Sequence, residues 1–194
     1  MARKNRVEFK PDTAGATLLG RLYLTARQRR SLLKWFLYAV LCLALSIVQD
    51  VICSRLSIFG ATTDLLPCAL ILICMIQGSE TGGTFALITA LFYYLSGSAP
   101  GVYVILLLPL LGILATIFRQ AFLRDGFNST MFGAGVAVLL YEAVVFVMGI
   151  VMGQTLIARI PVFTAAAVIC LITLPVMYPV IRAIAKIGGK SWKE

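Results

Sequence analysis

Asp50, Arg55 and Asp64 interrupt an apolar stretch that reads LSIVQDVICSRLSIFGATTDLLP, and Glu142 stands alone in LLYEAVVFVMG. Carboxyl groups in such surroundings can move protons, hold a cation, or fasten one surface to another. Acid and base work by a lone carboxyl needs a nucleophile or a second titratable group beside it. The chain contains no histidine and no lysine inside an apolar run, and it lacks the Walker loop, GxGxxG, GxSxG and HExxH patterns. These residues therefore predict a protein without a catalytic site.

Glu142 falls near the middle of an apolar run, where an ionised carboxylate costs about 2.5 to 3.5 kcal/mol on insertion scales. It needs a partner or a proton. No Lys or Arg sits at similar depth in another run, so a neutral carboxyl bonded to a hydroxyl of Thr89, Tyr93, Tyr94 or Thr173 is one solution. A partner protein's helix, or a ligand or ion, would be others. Gln49 and Asp50 close the first apolar run, with Arg55 just beyond it. They form either the polar fringe of a helix end or a patch facing a partner outside the bilayer. Asp64, in ATTDLLP, suits a helix start, because its side chain can cap free N–H groups and complement the positive end of the helix. Gln49, Asp50, Arg55, Asp64 and Glu142 are the candidate partner-binding residues.

The elements that position them follow from composition. With 60% hydrophobic and 13% charged residues in 194, and a mean hydropathy of +0.96, the chain reads as an all-α integral membrane protein. Apolar runs cover roughly 35 to 53, 62 to 77, 82 to 96, 101 to 122, 128 to 153 and 159 to 184, separated by Gly, Pro and charge. A bundle of about six transmembrane helices is expected. The second and third runs are short, and a re-entrant pair beside four full spans is the alternative.

Basic residues orient the bundle. Nine lie between Arg3 and Lys34, and Arg119, Arg124 and the four from Arg182 to Lys193 fall on the same side if the crossings are even in number. Only Arg55 and Arg159 of the 17 would then lie outside, so both termini are expected in the cytoplasm. This divides the chain into a basic cytoplasmic segment 1–34, a helical domain 35–184 and a basic tail 185–194. Residues 18 to 26 fit either a short surface helix or a disordered basic tail. The basic N-terminus attracts anionic lipid at about 1 kcal/mol per charge, and nucleic acid is not the expected partner. The first apolar run lacks a cleavage site and reads as an uncleaved anchor. Asn128 to Thr130 forms an NST triplet on the cytoplasmic side, away from glycosylation.

Small residues mark expected close approaches of helices at Gly78, Gly82, Gly149 and Gly153, the last two in a GxxxG spacing. Pro109, Pro175 and Pro179 predict bends. The five cysteines are scattered without a CxxC pair, so they read as packing residues, and neither a metal site nor a cofactor is predicted.

The Gln-ended first helix, Gly60 followed by Asp64-Leu65-Leu66-Pro67, the turn QGSETGG, the loop SGSAPG and the helix ending at Arg119 together resemble the MreD family of rod-shape membrane proteins, over residues 35 to 155. The resemblance implies a fold similar to the substrate-binding subunits of energy-coupling-factor transporters. It also implies a non-catalytic scaffold of the elongation complex in the bacterial cytoplasmic membrane. Such proteins are thought to bind MreC and, through it, MreB, RodA and a class B penicillin-binding protein that act in peptidoglycan synthesis and cell shape. The alternative is a vitamin-uptake subunit with that fold, to whose pocket Tyr103 and Gln154 would contribute.

Overall fold

The run from Leu65 to Met75 carries no polar side chain apart from cysteine sulfur, and a helix that is apolar all round belongs in the interior. In the computed structural model, which describes residues 26–53, 64–122 and 126–187, this helix is the axis of the molecule. Six α-helices are present: α1 Ala26–Val48, α2 Leu65–Gln77, α3 Ser79–Leu95, α4 Val104–Phe122, α5 Phe127–Val151 and α6 Ile160–Ile187. α2 touches all five others, and its residues from Leu65 to Met75 are buried without exception.

Four helices, α1, α4, α5 and α6, are long and apolar enough to cross a membrane, which makes this a multi-pass membrane protein. α2 has 13 residues, about 20 Å of helix, against a hydrocarbon core of about 30 Å. It is held by protein on every side, and that shielding tolerates a short helix. α3, with 17 residues, turns Leu87, Ile88, Leu91, Phe92 and Leu95 outward and a stripe of small residues inward.

That stripe explains the tight packing of α2, α3 and α4. Lipid is as apolar as leucine, so close van der Waals contact rather than water exclusion holds such helices together. A Cβ on Gly82 would stand 2.7 Å from Cys74 Cα, and one on Gly112 would stand 2.7 Å from Cys74 Sγ. Cys74 thus fills the gap between two glycine-lined helices, and its thiol donates to the Gly82 carbonyl at 3.2 Å. Gly78 serves differently from the helix packing expected of it: at φ +99° it is the turn between α2 and α3, with nothing within 4 Å of a would-be Cβ. The Gly149 and Gly153 pair also does not join two helices. Gly149 packs against Thr155 of its own following turn, and its carbonyl accepts from Gln154 and Thr155 N–H, while Gly153 at φ +69° reverses the chain beyond α5. Pro109, Pro175 and Pro179 lie inside α4 and α6, which run on as single helices.

α1 begins at Ala26, ahead of the apolar run, so Arg29, Arg30 and Lys34 ride its first turns. Lys34 Nζ donates to Gln77 Oε1 at 2.8 Å, Gln77 Nε2 donates to the Tyr38 hydroxyl at 2.7 Å, and that hydroxyl donates to the Ile181 carbonyl at 3.2 Å. This chain of bonds ties the start of α1 to the ends of α2 and α6. With Arg119 bonded to Thr130, and Phe127 stacked edge-on against Tyr178, it defines one end of the bundle. Arg29, Arg30, Lys34, Arg119, Arg182 and Lys186 gather there, and Arg159 is the described basic residue at the opposite end. Residues 1–25, Arg55, Gly60 and Arg124 lie outside the described residues, as does the tail from 188 onward.

Candidate functional site

At the end opposite the basic residues, α1 finishes in a π-helical turn, Gln49–Cys53, that carries the side chain of Gln49 into the bundle. Gln49 is buried, and its amide uses both ends. Oε1 accepts the Leu66 backbone N–H at 3.2 Å, while Nε2 donates to the Tyr93 hydroxyl at 3.1 Å and to Asp64 Oδ1 at 3.3 Å. A backbone N–H can only donate, so the Leu66 bond fixes which way the amide faces. One side chain thereby joins the end of α1, the start of α2 and the end of α3.

This arrangement corrects the expectation for Asp64. It occupies the N-cap position of α2 but makes no side-chain cap bond of its own. Gln49, from another helix, caps α2 in its place, and Asp64 accepts from the capping amide. Asp50 is exposed one position further on, where Oδ2 accepts from the Ser98 hydroxyl at 2.9 Å, linking the π-helical turn to the loop after α3.

Glu142 lies on α5, 6% exposed, and its Oε1 accepts from the Cys170 thiol of α6 at 3.4 Å. Of the expected hydroxyls, that of Thr89 donates to the Phe85 carbonyl and that of Thr173 to the Cys170 carbonyl, while that of Tyr93 accepts from Gln49. Cys170, read as a packing residue, is therefore the donor the sequence reasoning missed. Its thiol also approaches the Asp64 carbonyl at 3.9 Å, and Cys68 donates to the Cys170 carbonyl at 3.9 Å. A lone buried acid signals that a donor exists, but a thiol gives no pattern by which to pick it out.

Asp64 and Glu142 face the same cavity, of about 290 Å³. The loop after α3 contributes Ser98 and Pro100, α5 contributes Val145 and Phe146, and the segment before α6 contributes Thr155 and Arg159. Val162, Phe163 and Ala166 of α6 complete it, with Phe146 and Phe163 in ring contact at 4.7 Å between centroids. The Tyr141 hydroxyl, on a residue 1% exposed, is buried beside the Asp64 carboxyl. Of the candidate residues, Gln49, Asp50, Asp64 and Glu142 thus come together at one end of the bundle. Tyr103 and Gln154 do not line the cavity.

Two carboxyls, two hydroxyls and one guanidinium beside an apolar wall can hold a small polar molecule. Among the described residues, no three His, Cys, Asp or Glu side chains gather as a metal site. Comparisons with protein-family profiles, with characterised proteins and with solved structures find no match for this chain.

Proposed function

We propose that this chain is a non-catalytic membrane scaffold of the MreD type, binding a MreC-like partner and through it the machinery of wall elongation. The observation that carries the reading concerns the residues of the resemblance itself. Gln49 at the end of the first helix and Asp64-Leu65-Leu66 at the start of the second meet in one hydrogen-bonded knot, and the SGSAPG loop is tied to it through Ser98 and Asp50. Residues that fasten helices to one another account for such a motif without any reaction. The six-helix arrangement would then be the energy-coupling-factor type of bundle, in the bacterial cytoplasmic membrane, with the basic end in the cytoplasm and the cavity toward the outside.

On this reading Asp50, exposed at the rim, and Arg55 form the outward patch that a partner engages. The test is co-purification of the full chain with a MreC-type partner from the same cell. Changing Asp50 and Arg55 together to Ala should weaken the complex by more than Ser98→Ala does, which removes the same bond to the loop and leaves both charges in place. Undiminished co-purification of the folded double variant defeats the assignment. The cavity favours a second reading, a substrate-binding subunit of the energy-coupling-factor type, because five segments line it and polar groups from several of them converge there. A vitamin-like molecule retained in stoichiometric amount by the purified chain, seen by native mass spectrometry, would displace the scaffold reading.

A further inference from the structure

The two acids of the cavity are met by neutral groups only among the described residues. Asp64 takes a long bond from the Gln49 amide and lies beside the Tyr141 hydroxyl, Glu142 takes a bond from a thiol, which is a weak donor, and neither meets a Lys or Arg within ion-pair distance among the described residues. Carboxyls in apolar surroundings are stabilised most by a cation or by charged donors, and the donors present here carry no charge. Both point to one chamber of about 290 Å³, room for on the order of ten water molecules. Ser98, Thr155 and Arg159 line it as well, and the remaining wall is apolar, with Phe146 and Phe163 in ring contact along it.

We infer that this cavity binds a small organic ammonium ion with an apolar body, the ammonium between Asp64 and Glu142 and the body against Phe146 and Phe163. A bare metal ion would leave most of the chamber unfilled and the apolar walls unused. A neutral molecule would leave the carboxyls as they are. Arg159 lines the same cavity from an exposed position and opposes a cation there, so it sets a limit on affinity rather than supplying a contact. The ammonium group can belong to a free amine or to the headgroup of an aminolipid. The inference holds for a scaffold and for an uptake subunit alike.

The experiment is calorimetric titration of the full chain in detergent with 2-phenylethylammonium, and with uncharged 2-phenylethanol for comparison. Saturable binding of the amine alone is expected, weakened at least about tenfold in Glu142→Gln and in Asp64→Asn. Arg159→Ala should tighten it about two- to fivefold, a change of sign that a purely structural role would not produce. Ala166→Leu, which fills the chamber without touching charge, should abolish it, and thermal unfolding of each variant checks that it is folded. Equal binding of the alcohol, no saturable binding to the natural chain, or weaker binding after Arg159→Ala each overturns the inference. Native mass spectrometry of the chain from phosphatidylethanolamine nanodiscs separates the sources: a retained aminolipid or a retained free amine supports it, and a retained anionic lipid in the cavity overturns it.

Discussion

The side-chain oxygen of Gln49 accepts the backbone N–H of Leu66 at 3.2 Å, so the last turn of one helix caps the first turn of the next. A helix start leaves four N–H groups without partners, and in an apolar setting each is costly to leave unpaired. Removing this amide should therefore be felt in stability. Gln49→Ala is expected to cost about 1 to 2 kcal/mol, by loss of the cap and of the Tyr93 bond. Gln49→Glu should cost more, since it keeps the acceptor but sets a second carboxylate against Asp64. Unfolding of the detergent-solubilised chain by denaturant measures both, and a Glu variant as stable as the natural chain would contradict the bond pattern.

Adjacent glycines of α3 should respond differently to the same change. Alanine at Gly82 meets backbone, Cys74 Cα at 2.7 Å, whereas alanine at Gly83 meets the end of the Ile113 side chain at 2.8 Å. Backbone cannot step aside without moving α2. Gly82→Ala is expected to destabilise by about 1 to 3 kcal/mol and Gly83→Ala by less than half as much, because Ile113 can change rotamer. Melting temperatures of the two variants decide the order.

Cys170 supplies the hydrogen bond to Glu142, and its replacement has a direction in each case. Cys170→Ala leaves a buried carboxyl without its donor and should cost about 1 to 3 kcal/mol. Cys170→Ser restores a stronger donor of similar shape and should recover most of that loss. Combining Cys170→Ala with Glu142→Leu removes both polar groups and should be closer to neutral than Cys170→Ala alone, which a double-mutant cycle of unfolding free energies would show.

At the basic end, Tyr38→Phe breaks the bonds to Gln77 and to the Ile181 carbonyl while keeping the ring in place against Trp35 and Phe85. Interhelical hydrogen bonds within membranes contribute about 0.6 kcal/mol each on average, so a loss of about 1 kcal/mol is expected. The same unfolding measurement checks it.

How much of this was legible in the residues depends on the range of the interaction. The helices were, because Gly78, the SGSAPG loop and the charges after Phe122 interrupt apolar runs whose lengths can be counted. The central place of α2 was not, although its lack of any polar face between Leu65 and Met75 is the trace it leaves. The cap of α2 escaped reading because local rules assign a cap to the nearest suitable side chain, Asp64, and Gln49 reaches Leu66 only once two helices are packed. The GIVMG spacing misled for a related reason: the same two glycines suit a helix crossing and a helix end, and only the positive φ of Gly153 separates them. Thr155, Arg159, Phe146 and Phe163 carried no motif, and their meeting at the cavity is a product of how α5 returns to α6.

The enclosure of α2 also bears on how the polypeptide matures. Ribosomal synthesis releases α2 second, yet α4, α5 and α6 form much of its surroundings and emerge last. A nascent chain halted before α6 leaves the flank of α2 at Cys68 uncovered and Glu142 without Cys170. Insertion into the bilayer and completion of the interior are thus separate events, and truncations from the carboxyl end should be cleared by quality control rather than accumulate as smaller working versions.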